Sequence, residues 1–282
     1  MHNRRTFLQK GAALSASLGL PGLSRAKPAA RPALGIITNT LRSEFEQDYQ
    51  SALTALAEIG YTHVEGGIPA SCPSAEVFKA ALDSNGLASV SLGSSMGKLL
   101  DSLGDYLRTA EILHSPYLVC YYPWLSSAEN LKMDEVMQTV DRLNEVGKKI
   151  KEAGFRFAWH NHDKEFVDID GRTAFDILME NTDPQYVSVQ LDWYWVVKGG
   201  ADPVALFNKY PGRFELAHVK DMNNNRDRGM TCVGQGIIDF EEIFAHAKTG
   251  GVRHFIVENE RAIEGLACAQ VSYETISRML QG

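Results

Sequence analysis

Acid and histidine residues close several apolar, strand-like runs in this chain. His160 and His162 follow Phe155–Trp159, Asp192 follows Tyr186–Leu191, His218 precedes Val219-Lys220-Asp221, and Glu258 follows Phe255–Val257. Imidazoles and carboxylates are ligands for a divalent ion, which polarises a sugar carbonyl and acidifies the neighbouring C–H. A carboxylate within reach can then take that proton. One such residue at a strand end is ordinary. Several on successive strands, separated by helix-length segments, imply one pocket at the C-terminal mouth of a (β/α)8 barrel.

Each position also has a plainer reading. Asp192 could cap the following helix or pair with a lysine; ending a run that is apolar on both faces, it is expected to be a ligand. His218 and Lys220 share a face by strand alternation. His218 would bind the ion and Lys220 a substrate oxygen, whereas the alternative is a core histidine and a solvated lysine. Asp221 points elsewhere and reads as a loop cap. Glu258 could pair with Arg253 or Arg261; the preferred roles are metal ligand and general base. In His160-Asn161-His162-Asp163-Lys164-Glu165 the two histidines alternate onto one face, and either is a candidate for the remaining ligand, where a lone histidine would be structural. Glu65 ends the second run and either binds a substrate hydroxyl or neutralises a neighbour. Trp124 and Trp195 follow strand ends, where aromatic faces can pack on sugar rings, although tryptophans are commonly core. Gly234-Gln235-Gly236 is weak evidence for a phosphate site.

The elements that must position these groups are legible. Strand-like runs occupy 33–37, 61–65, 87–92, 117–121, 155–160, 186–191, 214–219 and 254–257. Helical apolar spacing covers 49–59, 75–82, 99–113, 133–153, 173–180, 203–208 and 240–248. Several of these end at Gly or Asn-Gly, as helices commonly do. Alternating strand and helix predicts a parallel sheet, and eight units favour a closed barrel over an open sheet. No Gly-x-Gly-x-x-Gly follows the first strand, which argues against a dinucleotide-binding fold.

The chain opens with Asn3-Arg4-Arg5-Thr6-Phe7-Leu8, a small-residue apolar run Gly11–Leu20, and Ser24-Arg25-Ala26. This pattern is expected to be a signal peptide over 1–26, with the barrel over 27–282. Its paired arginines resemble a twin-arginine export signal, implying a periplasmic or secreted protein. The apolar core is too short to span a bilayer comfortably, and no later segment is a membrane candidate. A net charge of −7 argues against a nucleic-acid partner. The cysteines Cys72, Cys120, Cys232 and Cys268 show no CxxC; an oxidising compartment permits a disulfide that a barrel of this size does not need.

Tyr186–Asp192, Trp195 with Gly199-Gly200-Ala201-Asp202-Pro203, Lys209–Arg213, His218–Asp221, Val233–Gly236 with Asp239-Phe240, and Val257-Glu258 resemble the sugar phosphate isomerase/epimerase superfamily. This group has the xylose-isomerase-like, endonuclease IV-related TIM barrel. The resemblance implies one divalent ion, manganese foremost with magnesium, cobalt or zinc as alternatives, held by a Glu-Asp-His-Glu set. Asp192, His218 and Glu258 match three of those positions, and the first glutamate falls at His160. The two-glutamate proton shuttle of ketose 3-epimerases is therefore not reproduced, and Glu165 or His162 is expected to face Glu258 across the substrate. The implied function is a metal-dependent sugar isomerase or epimerase, or a related lyase on keto-sugars or glycosides. A non-catalytic carbohydrate-binding barrel is the alternative.

Overall fold

A computed structural model describes residues 33–128 and 131–280. The leader expected over 1–26 lies outside the described residues. Eight strands form the barrel: β1 Leu34–Ile37, β2 His63–Glu65, β3 Ala88–Ser95, β4 Tyr117–Tyr122, β5 Arg156–His160, β6 Ser188–Asp192, β7 Leu216–Val219 and β8 His254–Val257. Neighbours pair in parallel, and β1 closes the ring against β8 with Leu34 opposite Phe255. The closed parallel (β/α)8 barrel expected from the alternation is the observed fold.

The helices between and after them are α1 Arg42–Ile59, α2 Ala75–Ser84, α3 Met96–Leu113, α4 Met133–Glu152, α5 Ala174–Asn181, α6 Pro203–Lys209, α7 Phe240–Gly250 and α8 Gly265–Met279. Their ends follow local chemistry. The Ser74 hydroxyl accepts from the Val77 amide at the start of α2, and Gly251 takes φ +89° to end α7. The periodicity did not predict α8, for a physical reason: its buried face is largely Gly265, Cys268, Ala269, Ser272 and Thr275, which carry little apolar signal. A one-turn-scale helix, Trp193–Lys198, and two short antiparallel ribbons, Asp168–Ile169 with Arg172–Thr173 and Asp221–Met222 with Met230–Thr231, were also unforeseen.

Alternation along the strands divides the core in two. Ile36, Val64, Leu118, Trp159, Val189, Leu191 and Val257 join the apolar layer that also holds the buried helix faces. Ile37, Val90, Val119, Ala158, Leu216 and Ile256 form a separate small cluster. On β5, β7 and β8 the members of that small cluster, Ala158, Leu216 and Ile256, share strand parity with His160, His218 and Glu258, so they plug the barrel beneath the polar mouth.

Candidate active site

The strand ends bring His160, Asp192, His218, Lys220 and Glu258 together. His160, Asp192 and His218 each offer one ligand atom, all within 4.8 Å of one another. All five side chains are buried. Asp192 satisfies both of its plainer readings while keeping an atom spare. Its Oδ1 accepts from the Trp195 amide at 3.0 Å, capping the short helix, and Lys220 Nζ stands 3.0 Å from Oδ2. That Oδ2 nonetheless has no aligned hydrogen-bond donor. Asn161 locks β5 to β6 beside it, its Oδ1 accepting from the Asp192 amide at 2.8 Å.

Two histidines and a carboxylate, buried, with Asp192 Oδ2 lacking an aligned hydrogen-bond donor, fit a divalent ion. Glu258, expected as a further ligand, stands outside that three-residue group. Its Oε2 lies 2.7 Å from Lys220 Nζ and 2.7 Å from His218 Nδ1. The partner of Glu258 is thus Lys220 rather than Arg253 or Arg261.

Charges in this site are set by burial against pairing. Burial would raise the Glu258 carboxyl, but Lys220 and His218 outweigh it and hold it well below the usual carboxylate range. Burial would lower His218, but the carboxylates of Glu65 and Glu258 raise it to about 10. Burial would also lower Lys220; Asp192 and Glu258 win and keep it an ammonium. His160 is pushed well down by burial, helped by its cationic neighbours, and His162 falls to about 4 for the same reasons. Both stay neutral at neutral pH.

A cavity of about 310 Å³ opens over this cluster, lined by Ile37, Thr38, Asn39, Gly66, Gly67, Tyr121, His160, His162, His218, Lys220, Glu258 and Glu260. Gly66 takes φ +129°, and a Cβ there would meet Thr38 Oγ1 at 2.5 Å, whereas a Cβ on Gly67 would meet nothing within 4 Å. A second hollow of about 260 Å³ shares Thr38, Asn39 and Gly67 and continues past Arg42 and Ile68. A larger groove of about 710 Å³ lies between α7 and α8, with none of the mouth's convergent polar groups.

The remaining expected site residues are placed as follows. Glu65 does not line the cavity. It is fully buried, with Oε1 2.5 Å from His218 Nε2 and Oε2 accepting from Gln190 Nε2 at 2.7 Å and from Ser91 Oγ. Glu165 is also fully buried and turned away; its oxygens accept from the Trp124 indole and from the His162 amide at 2.6 Å. Burial raises its carboxyl despite those donors. Trp124 is buried on Glu165 and presents no face to the cavity, while Trp195 flanks it, ring against His162 and beneath Lys220 Nζ. Asp221 is the loop cap expected: it accepts from the amides of Met222, Gly234, Gly236 and Ile238. Gly234 and Gly236 therefore serve that turn. Sequence reasoning missed Gln190, Ser91, Asn161 and Tyr121. Gln190 was detectable, since it lies two residues before Asp192 and so on the same face.

A closed parallel barrel with this polar mouth defines the class. The chain belongs to the xylose isomerase-like TIM barrel family, whose model matches residues 53–270. Inosose dehydratase from Geobacillus kaustophilus (strain HTA426) is 29% identical over 245 residues, covering 73% of this chain and 77% of that protein. Matches to other inosose dehydratases span between 40% and 48% of their length. A sugar phosphate isomerase/epimerase from Parabacteroides distasonis ATCC 8503 superposes with a TM-score of 0.77 at 24% identity, over 92% of this chain and 98% of that one. The IolI protein with a bound zinc atom gives 0.71 at 14% identity, over 88% and 98%. At these identities the two structures establish the shared fold.

Proposed function

We propose that this protein is a metal-dependent lyase that removes water from a neutral keto-sugar or keto-cyclitol. The observation that carries the reading is the buried contact of Glu258 with Lys220 and His218 at the edge of the His160–Asp192–His218 group. A bound divalent ion, manganese by family resemblance or zinc, cobalt or magnesium, would polarise the substrate carbonyl. His160, Asp192 and His218 would hold it, with Glu258 close enough to join them.

Glu258, held ionised, accepts the proton from the carbon beside the carbonyl. The electrons of that C–H bond form the C=C bond as the C–O bond on the next carbon breaks, and the hydroxyl leaves as water after taking a proton. Lys220 offsets the negative charge that develops in its buried setting. His162, uncharged and lining the cavity, is the candidate to relay the proton from Glu258 to the leaving oxygen, taking it up at one ring nitrogen as the other releases its own.

An isomerase or epimerase shares the first step but returns the proton to carbon. The cavity supports elimination over that outcome because its lining carboxylates, Glu258 and Glu260, both follow β8, while Glu165 is sequestered. The similarity to inosose dehydratases points the same way. A neutral substrate is supported by the cationic lining: no arginine, and a lysine already matched by Asp192 and Glu258.

The test is incubation of manganese-loaded protein with 2-keto-myo-inositol and with 3-keto-glucose in deuterium oxide, read by NMR and mass spectrometry. A product lighter by one water supports the lyase. A deuterated epimer of unchanged composition assigns an epimerase, and binding without turnover assigns a carbohydrate-binding barrel.

We also propose export through the twin-arginine signal around Arg4 and Arg5. A disulfide joining Cys232 to Cys268 supports an oxidising compartment, while Cys72 and Cys120 are buried and free.

A further inference from the structure

The two histidines of the metal group do not stand alone: both lead back to one carboxylate outside the cavity. Glu65 Oε1 meets His218 Nε2 at 2.5 Å. Glu65 Oε2 accepts from Gln190 Nε2 at 2.7 Å, and Gln190 Oε1 lies 3.2 Å from His160 Nδ1. Glu65 and Gln190 are fully buried, so no solvent competes for these bonds. Glu65 Oε2 accepts from Ser91 Oγ as well as from Gln190. The Gln190 amide thus turns its NH2 toward Glu65 and its oxygen toward His160. That oxygen can only accept, so His160 must carry its proton on Nδ1 and present a bare Nε2, which lies 3.7 Å from Asp192 Oδ2.

We infer that Glu65 and Gln190 are positioning residues that set the tautomer of His160 through one polar relay, whose carboxylate also holds His218 Nε2. The relay rests on the proposed metal site for its purpose, but its polarity is a property of the protein without an ion. A histidine ligates through the nitrogen that its other hydrogen bond leaves unprotonated. Glu65→Gln replaces an acceptor with a donor facing Gln190. The Gln190 amide must then turn over and offer NH2 to His160 Nδ1, which moves the His160 proton to Nε2 and removes a metal ligand without touching it. The exchange Glu65→Gln with Gln190→Glu restores the original sense. Glu at 190 would accept from both Gln at 65 and His160 Nδ1, while the amide oxygen at 65 still accepts from His218.

The experiment is nitrogen-15 NMR of the histidine rings in metal-free protein at neutral pH, with His160→Asn identifying the His160 signals, followed by Co2+ titration with optical detection. In wild type, His160 should show the Nδ1–H tautomer. Glu65→Gln should convert it to Nε2–H and weaken Co2+ binding about ten- to a hundredfold. The double exchange should restore both, which simple loss of packing would not do. If Glu65→Gln does not fold, Gln190→Met reads the same link, and His160 should become a mixture of tautomers. An unchanged His160 tautomer in Glu65→Gln, or a double exchange no better than the single change, overturns the relay. A tautomer that follows the relay in a protein that binds no Co2+ upholds the relay and defeats the metal-site reading instead.

Discussion

Glu258 Oε2 stands 2.7 Å from Lys220 Nζ, and both side chains are buried at the barrel mouth. Asp192 Oδ2 approaches the same ammonium at 3.0 Å. Lys220 is thus the counter-charge for two carboxylates that water barely reaches. Breaking such a buried cluster by removing one partner costs far more than the cluster gains over an apolar replacement.

Lys220→Met should leave Asp192 and Glu258 facing each other without that ammonium. Urea denaturation should show a loss of about 3–5 kcal/mol, the range for an orphaned buried charge. Activity at saturating manganese should fall with it. Unchanged stability would mean that Lys220 is dispensable to the charge balance.

Glu258→Gln keeps the shape and removes the base. Turnover should drop at least about a hundredfold, the low end for general acid–base catalysis. Deuterium exchange at the substrate carbon should fall in parallel. His160, Asp192 and His218 remain, so metal analysis should still find an ion at weakened affinity.

At the other end of the barrel, the His254 ring packs edge-on to His63 and Tyr117. Burial, with lesser contributions from His63 and the nearby arginines Arg253 and Arg156, lowers His254 to about 4. The unfolded chain takes this proton near pH 6.5, before the folded chain does. Its stability contribution is therefore complete above about 6.5 and is lost as pH falls toward 4. Melting temperature should decline through that window, and His254→Asn should recover about 1 kcal/mol of the loss after allowance for partial solvent screening.

The Cys232–Cys268 bridge closes a separation of 36 residues, tying the loop after β7 to α8. Replacing both cysteines with serine should cost about 2–4 kcal/mol, measured by thermal or chemical denaturation. Cys72 and Cys120, buried and unpaired, should resist thiol reagents until the protein unfolds.

Replacing Arg4 and Arg5 with lysine should trap precursor in the cytoplasm, read by fractionation. Unimpaired delivery to the periplasm would remove the twin-arginine assignment.

The barrel could be read from the sequence because its strands are short apolar runs with a polar residue at the end. The same rule found His160, Asp192, His218, Lys220 and Glu258, each of which reaches the mouth. It could not distinguish a carboxylate facing the cavity from one facing the wall. Glu65 has the same strand-end signature and Glu165 lies in the turn after β5, yet Ser91, Gln190 and His218 surround the first, while Trp124 and the His162 amide hold the second. Those partners come from other strands and loops, so local pattern carries no trace of them. Helix α8 escaped for the opposite reason: small and hydroxyl residues pack closely there without an apolar stripe.

Two adjacent glycines divide the freedom of the mouth unequally. Gly66 is confined by its backbone angle and by Thr38, so the rim there is fixed by folding itself. Gly67 has empty space around a would-be side chain, at the passage between the main cavity and the hollow past Arg42. Shape selectivity at that passage can therefore drift by single substitutions that the scaffold hardly registers. A lineage of such barrels could trade long substrates for compact ones at one codon, keeping its reacting groups intact.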